Sequence, residues 1–179
     1  MHHIGTKDYH GVNPKYYTGI GSRKTPKNIL QIMYDLAAWL AKGSWILRSG
    51  GASGADTAFE NGTKDGGGEA DIYYAEDGIR VDALALAAQH HPAWNRCSDY
   101  AKRFHARNCF QVLGDDLRTP AKFVCCWTPD GATGITSQVT GGTGQAIRLA
   151  YANHIQIFNL ALPDHLSRIQ TTIYRHIPE

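Results

Sequence analysis

Three glycine-rich turns carry the residues with chemistry in them. Gly19 and Gly21 precede Ser22 and Arg23; Ser49, Gly50, Gly51, Ser53 and Gly54 lead to Asp56; Thr140, Gly141, Gly142, Thr143 and Gly144 lead to Gln145. A glycine-rich turn that opens a helix leaves backbone N–H groups facing outward, which suits an anion. Side chains between the glycines extend that chemistry. Ser22, Ser53 and Thr143 offer hydroxyls to a phosphate or ribose, and Arg23 offers a planar two-pronged donor. Asp56 or Glu60 offers a carboxylate that could accept from ribose hydroxyls or a base. Asp56 equally fits a helix-start charge favoured by the helix dipole, and Glu60 a solvated helix position.

None of the turns is a complete nucleotide motif. A GxxxxGK[ST] segment is absent, and Gly19-Ile20-Gly21 lacks the third glycine of the dinucleotide fingerprint. What counts is that each turn falls between an apolar run and an amphipathic segment. If the runs are parallel strands, all three turns leave the same edge of one sheet and can share a crevice.

The elements that would position them follow from hydrophobic spacing. Strands are expected at 15–20, 45–49, 70–74, 123–127 and 155–160. Helices are expected at 26–42, from Ile29, Ile32, Met33, Leu36 and Leu40, and at 55–64, 82–89, 98–113, 143–152 and 164–176. His90-His91-Pro92 interrupts the third from the fourth. Strand and helix alternate, so the expected fold is an α/β Rossmann-like three-layer sandwich, with a mainly parallel sheet of five or more strands and helices on both faces. Residues 1–14 read as a polar arm and 15–179 as one domain. Trp127 ends the fourth strand and Thr128 opens the loop after it, both candidates to line the expected crevice, where Trp127 could stack on a base.

Composition narrows the function classes. A formal charge of +2, from 18 Lys and Arg against 16 Asp and Glu, is too small to argue for nucleic acid unless basic residues cluster locally. The stretch from His90 to Arg107 is such a cluster, with His91, Trp94, Arg96, Lys102, Arg103 and His105, although a solvated helix face has the same look. No run approaches membrane-spanning length, and no signal region opens the chain, so a cytoplasmic location is expected, with no membrane partner. Cys97, Cys109, Cys125 and Cys126 form no CxxC pair and read as reduced thiols rather than disulfides or zinc ligands. No His, Cys, Asp and Glu set shows metal-ligand spacing, so neither metal nor cofactor is expected.

Segments 17–23 (YTGIGSR), 48–56 (RSGGASGAD) and 140–146 (TGGTGQA) together resemble the signature of the SLOG superfamily. This superfamily groups the Smf/DprA DNA-processing proteins, the LOG phosphoribohydrolases and related nucleotide-binding Rossmann-like domains. The resemblance spans about residues 15–160, and segments 91–114 and 126–131 are similar to small DprA-like proteins of bacteriophages. It implies a nucleotide or nucleotide-derived ligand, with single-stranded DNA as a partner on the DprA side. It also implies phosphoribohydrolase activity on the LOG side, where Arg107 would hold phosphate. The LOG loop pattern is PGGxGTxxE; here Thr140 replaces its proline, Gln145 its threonine, and Ile147 and Arg148 follow where acid is required. N-glycosidic hydrolysis needs a carboxylate at the sugar, so Asp56 and Glu60 are the remaining candidates. Binding is thus expected ahead of hydrolysis, in a homo-oligomer if the apolar face of the 26–42 helix is left uncovered.

Overall fold

The computed structural model describes residues 13–78 and 80–174, together with the backbone of His2–Ile4. In chain order the elements are β1 (His2–Ile4), β2 (Lys15–Gly19), α1 (Lys27–Lys42), β3 (Trp45–Ser49), α2 (Ala55–Asp65), β4 (Glu69–Ile72) and α3 (Val81–His90). A 3-10 turn (Trp94–Arg96), α4 (Asp99–Leu113), β5 (Phe123–Cys126), α5 (Thr143–Ala152), β6 (Gln156–Asn159) and α6 (Pro163–Tyr174) complete it. The expected end of the last helix, residues 175–176, lies outside the described residues.

One sheet has the order β1-β4-β3-β2-β5-β6. Its five strands from β2 to β6 are parallel, as strand–helix alternation requires, and β1 joins antiparallel to β4 with His2 opposite Ile72. Of the arm expected over residues 1–14, residues 2–4 form a sheet strand, and residues 1 and 5–12 lie outside the described residues; the pairing gives partners to the outward backbone groups of β4, which would otherwise form an open edge.

Alternate side chains divide the core into two layers. Tyr17 and Leu47 pack with α1, α2 and α6 through Met33, Leu36, Phe59 and Ile169. On the opposite face, Val124 and Cys126 pack with α3, α4 and α5 through Ala83, Cys109, Val112 and Ile147. Thr18 also turns to that face, where its hydroxyl donates to Gln111 O at 2.6 Å. The apolar face of α1 lies within the first layer, where Ile29, Ile32, Met33 and Leu36 are buried, so it is not the uncovered dimer surface considered from the sequence. Gly62 makes that packing close: a Cβ there would lie 2.1 Å from Tyr34 O on α1.

From β2 the chain steps outward through β3 and β4, then returns across the sheet through α3 and α4 to β5, on the other side of β2. Strand order thus reverses between β2 and β5. Their ladder is short, Thr18 opposite Val124 and Gly19 opposite Cys125, and backbone bonds from Ile20 N to Cys125 O at 3.2 Å and from Ser22 N to Trp127 O at 3.1 Å carry the pairing to the sheet rim.

Candidate functional site

A cavity of about 460 Å³ fills that reversal point. Its floor is the loop after β2 (Gly21, Ser22, Arg23), one wall is Ala52 and Asp56 after β3, another is Gly142 and Thr143 at the start of α5, and its roof is α4. Ser98 caps α4 by accepting from Ala101 N at 3.2 Å. The helix then presents Tyr100, Phe104, Arg107, Asn108 and Gln111 to the cavity, while Ala106, Cys109 and Val112 enter the core. Asn108 ties roof to wall, its Nδ2 donating to Gly142 O at 3.1 Å.

Arg107 is the electrostatic centre. Its Nη1 donates to Gly50 O at 2.6 Å, and a Cβ on Gly50 would lie 1.8 Å from that nitrogen, so only glycine admits the guanidinium. Asp56, 4 % exposed, accepts from Ala52 N at 3.3 Å. Burial pushes its carboxyl up to about 6, against the pull of Arg107 and the amides of Ala52, Gly50 and Gly21. Glu60 accepts from Gly51 N at 2.9 Å; burial and then the charge of Asp56 push it up to about 7. Burial likewise lowers Arg107, opposed by Asp56, Glu76 and Glu60. Arg107 thus feels two carboxyls that burial pushes up to about 6 and about 7.

Three buried side-chain nitrogens on residues that line this cavity have no partner among the described residues: His105 Nδ1, Arg107 Nε and Gln111 Nε2. A buried donor left unpaired is costly, and an acceptor on a bound molecule would remove that cost.

Of the residues singled out from the sequence, Gly21, Ser22, Arg23, Asp56, Arg107, Gly142 and Thr143 meet in this one cavity. Others are engaged by the protein itself. Ser49 donates to Gly19 O at 2.7 Å, Asn159 Nδ2 donates to Thr128 Oγ1 at 2.7 Å, and the Thr140 hydroxyl donates to Asp130. Gln145 is wholly buried, donating to Ala87 O at 2.9 Å and accepting from Arg148 Nη2 at 2.8 Å. Gly19 packs on Phe59, Gly51 beside Tyr74, Gly144 between Arg148 and Thr140, and Trp127 against the α1-side core. Gly54 caps α2 at φ 95°, Gly141 turns at φ 70°, and neither they nor Ser53 line the cavity. Tyr100, Phe104, Asn108 and Gln111 were missed. Their signal was a stripe at helical spacing with Arg107 that mixes aromatics with amides, on the face opposite the apolar one.

The fold defines a Rossmann-like α/β domain with a cavity at its strand-order reversal. No protein-family profile matches the chain, and no curated protein matches it. Among solved structures it is similar to DNA processing protein A (DprA) from Streptococcus pneumoniae, with 17 % identity, 90 % of this chain covered and a TM-score of 0.50. The chain spans 56 % of the length of that protein. This likeness shows a shared fold. No helix among the described residues is long and apolar enough to cross a membrane.

Proposed function

We propose that the chain is a SLOG domain, akin to the small DprA-like proteins of bacteriophages, and that it binds a nucleotide or nucleotide-derived signal in the cavity under α4. The observation that carries this reading is the pair of buried, unpartnered donors, Arg107 Nε and Gln111 Nε2, on residues that line a cavity of about 460 Å³. That volume falls within the range of about 300–1,000 Å³ usual for small-molecule sites. Arg23 and the amides of Gly142 and Thr143 would take phosphate, Asp56 the ribose hydroxyls, and Phe104 and Tyr100 the base.

The test is a thermal-shift and calorimetric panel of adenine and guanine nucleotides, cyclic nucleotides, NAD and ADP-ribose. A true ligand at a hundred times its Kd stabilises by about 2.7 kcal/mol, on the order of 5–10 °C in Tm. Arg107→Ala should abolish the shift. A panel without any response sinks the proposal.

A second reading, single-stranded DNA, is favoured by Tyr100, which is 68 % exposed and edge-on to Phe104 at 4.8 Å on the cavity rim. The similar solved structure is a DNA processing protein. DNA held by phosphate contacts weakens steeply as salt rises, so oligonucleotide titrations at two salt concentrations separate the readings. The same nucleotide panel, resolved by chromatography for released base, reports any hydrolysis through Asp56.

A further inference from the structure

Across α4 from the nucleotide cavity stands a second group of side chains. His91 follows α3, Cys97 follows the 3-10 turn, and His105 sits in α4. One ligand atom from each lies within 4.8 Å of the other two. Cys97 Sγ is 3.7 Å from both ring nitrogens of His91, and the two imidazoles stand 4.4 Å apart between centroids. His105 Nδ1 is buried without a partner, a lone pair or N–H with nothing to meet. Trp94 walls the group, 6.1 Å from His91 and 6.4 Å from His105.

Tetrahedral zinc, with bonds of about 2.3 Å to sulfur and about 2.0–2.1 Å to nitrogen, sets its ligand atoms roughly 3.3–3.8 Å apart. The observed spacing needs little movement to reach that. One thiolate with two imidazoles is a borderline-soft donor set that suits zinc over magnesium or calcium. Three protein ligands leave a fourth position, and a cavity of about 530 Å³ lined by His91, His105, Gln138 and Arg148 adjoins it.

We propose that His91, Cys97 and His105 bind one zinc ion whose fourth position opens to that cavity. On binding, the Cys97 thiol loses its proton to solvent and its contact with Ala93 O at 3.6 Å. The bond from Ala93 N to His91 Nδ1 at 3.1 Å is exchanged, since either His91 nitrogen can turn to the ion. Arg148, fixed by His90 O at 2.7 Å, opposes a cation here, and the Cys97 thiolate offsets it. His105 lines both cavities, so the ion would brace the roof of the nucleotide site without being a part of it.

The experiment uses the full chain without a purification tag, stripped by chelator. Zinc is titrated against a chromophoric chelator, and cobalt(II) is then substituted for its spectrum. One equivalent should bind with a thiolate-to-cobalt charge-transfer band. Cys97→Ala should erase the band and weaken zinc by at least about 100-fold, and His91→Gln and His105→Gln should weaken it similarly. Cys109→Ala, at a thiol buried beneath α3, should keep both. Cyanide should shift the cobalt bands. Absence of stoichiometric metal, or one equivalent bound by wild type without a thiolate band, overturns the site whatever the variants' folding. A band that survives Cys97→Ala overturns the ligand assignment, and bands indifferent to cyanide overturn the open position.

Discussion

The loop after β3 and the loop before α5 are both glycine-rich, yet they are filled in opposite ways. At Gly50 and Gly51, a Cβ would strike Arg107 Nη1 at 1.8 Å and Tyr74 Cε1 at 2.2 Å. At Gly141 and Gly142, a Cβ would meet nothing within 4 Å. The first pair of glycines makes room for the protein's own side chains; the second faces open space, with Gly142 on the lining of the cavity. Glycine-rich sequence is therefore two devices here, one that seats a guanidinium and one that leaves the start of a helix uncovered.

Gly50→Ala should break the crowded loop hardest. The overlap cannot be relieved without moving Arg107, whose Nη1 bond to Gly50 O fixes it. Overpacking of this kind costs about 1–3 kcal/mol, or several degrees in Tm by calorimetry, and nucleotide affinity should fall at least about 100-fold as the cation leaves. A variant of wild-type stability would show that Arg107 is not held rigidly. Gly142→Ala should do the reverse. Gly142 has helical φ −61° and ψ −29° and free space, so urea unfolding should stay within about 0.5 kcal/mol of wild type. Nucleotide affinity should still drop about tenfold, because the methyl group lies where phosphate would approach the amides. If stability and affinity both survive, this loop is not the phosphate cradle.

Much of this architecture was legible from spacing alone. Ile29, Ile32, Met33, Leu36 and Leu40 define a helix because helical periodicity is local, and the alternation of strands and helices implies the parallel sheet. The three glycine turns were legible for the same reason, and residues of all three do meet in the cavity. What failed was direction. Ser49, Thr128, Thr140 and Gln145 each stand beside a turn, but a polar residue reads alike whether it bonds a ligand or its own chain, and all four are spent internally. The roof was invisible for another reason: which face of α4 meets the crevice depends on the long return from β4 to β5. The same return unites His91, Cys97 and His105, whose intervals across Pro92 and a 3-10 turn match no regular ligand spacing. β1, three residues long, leaves no periodicity to read.

Charge separates the two loops by a subtler effect. Glu60 holds Gly51 N–H in the crowded loop, and burial with the charge of Asp56 raises it from 4.5 to about 7. The folded chain thus keeps that proton to higher pH than the unfolded chain does. Its contribution to stability is fully present below about pH 4.5 and is lost as pH rises to about 7. Asp56, raised from 3.8 to about 6, acts with the same sign over a lower window. Wild type should therefore lose urea resistance between about pH 5 and about pH 8 relative to Glu60→Gln, which retains an acceptor for Gly51 N–H but cannot ionise. Affinity for an anionic phosphate should fall across the same window in wild type and fall less in the variant, since the ionised carboxyls repel it. Gly142→Ala lies in a loop whose carboxylate, Asp130, is held below its ordinary range, against burial, by the hydroxyls of Thr140, Thr128 and Ser137, so it should keep the wild-type pH profile while lowering affinity at every pH. Parallel pH profiles for wild type and Glu60→Gln would mean that the carboxyl is solvated and that the crowded loop carries no proton switch.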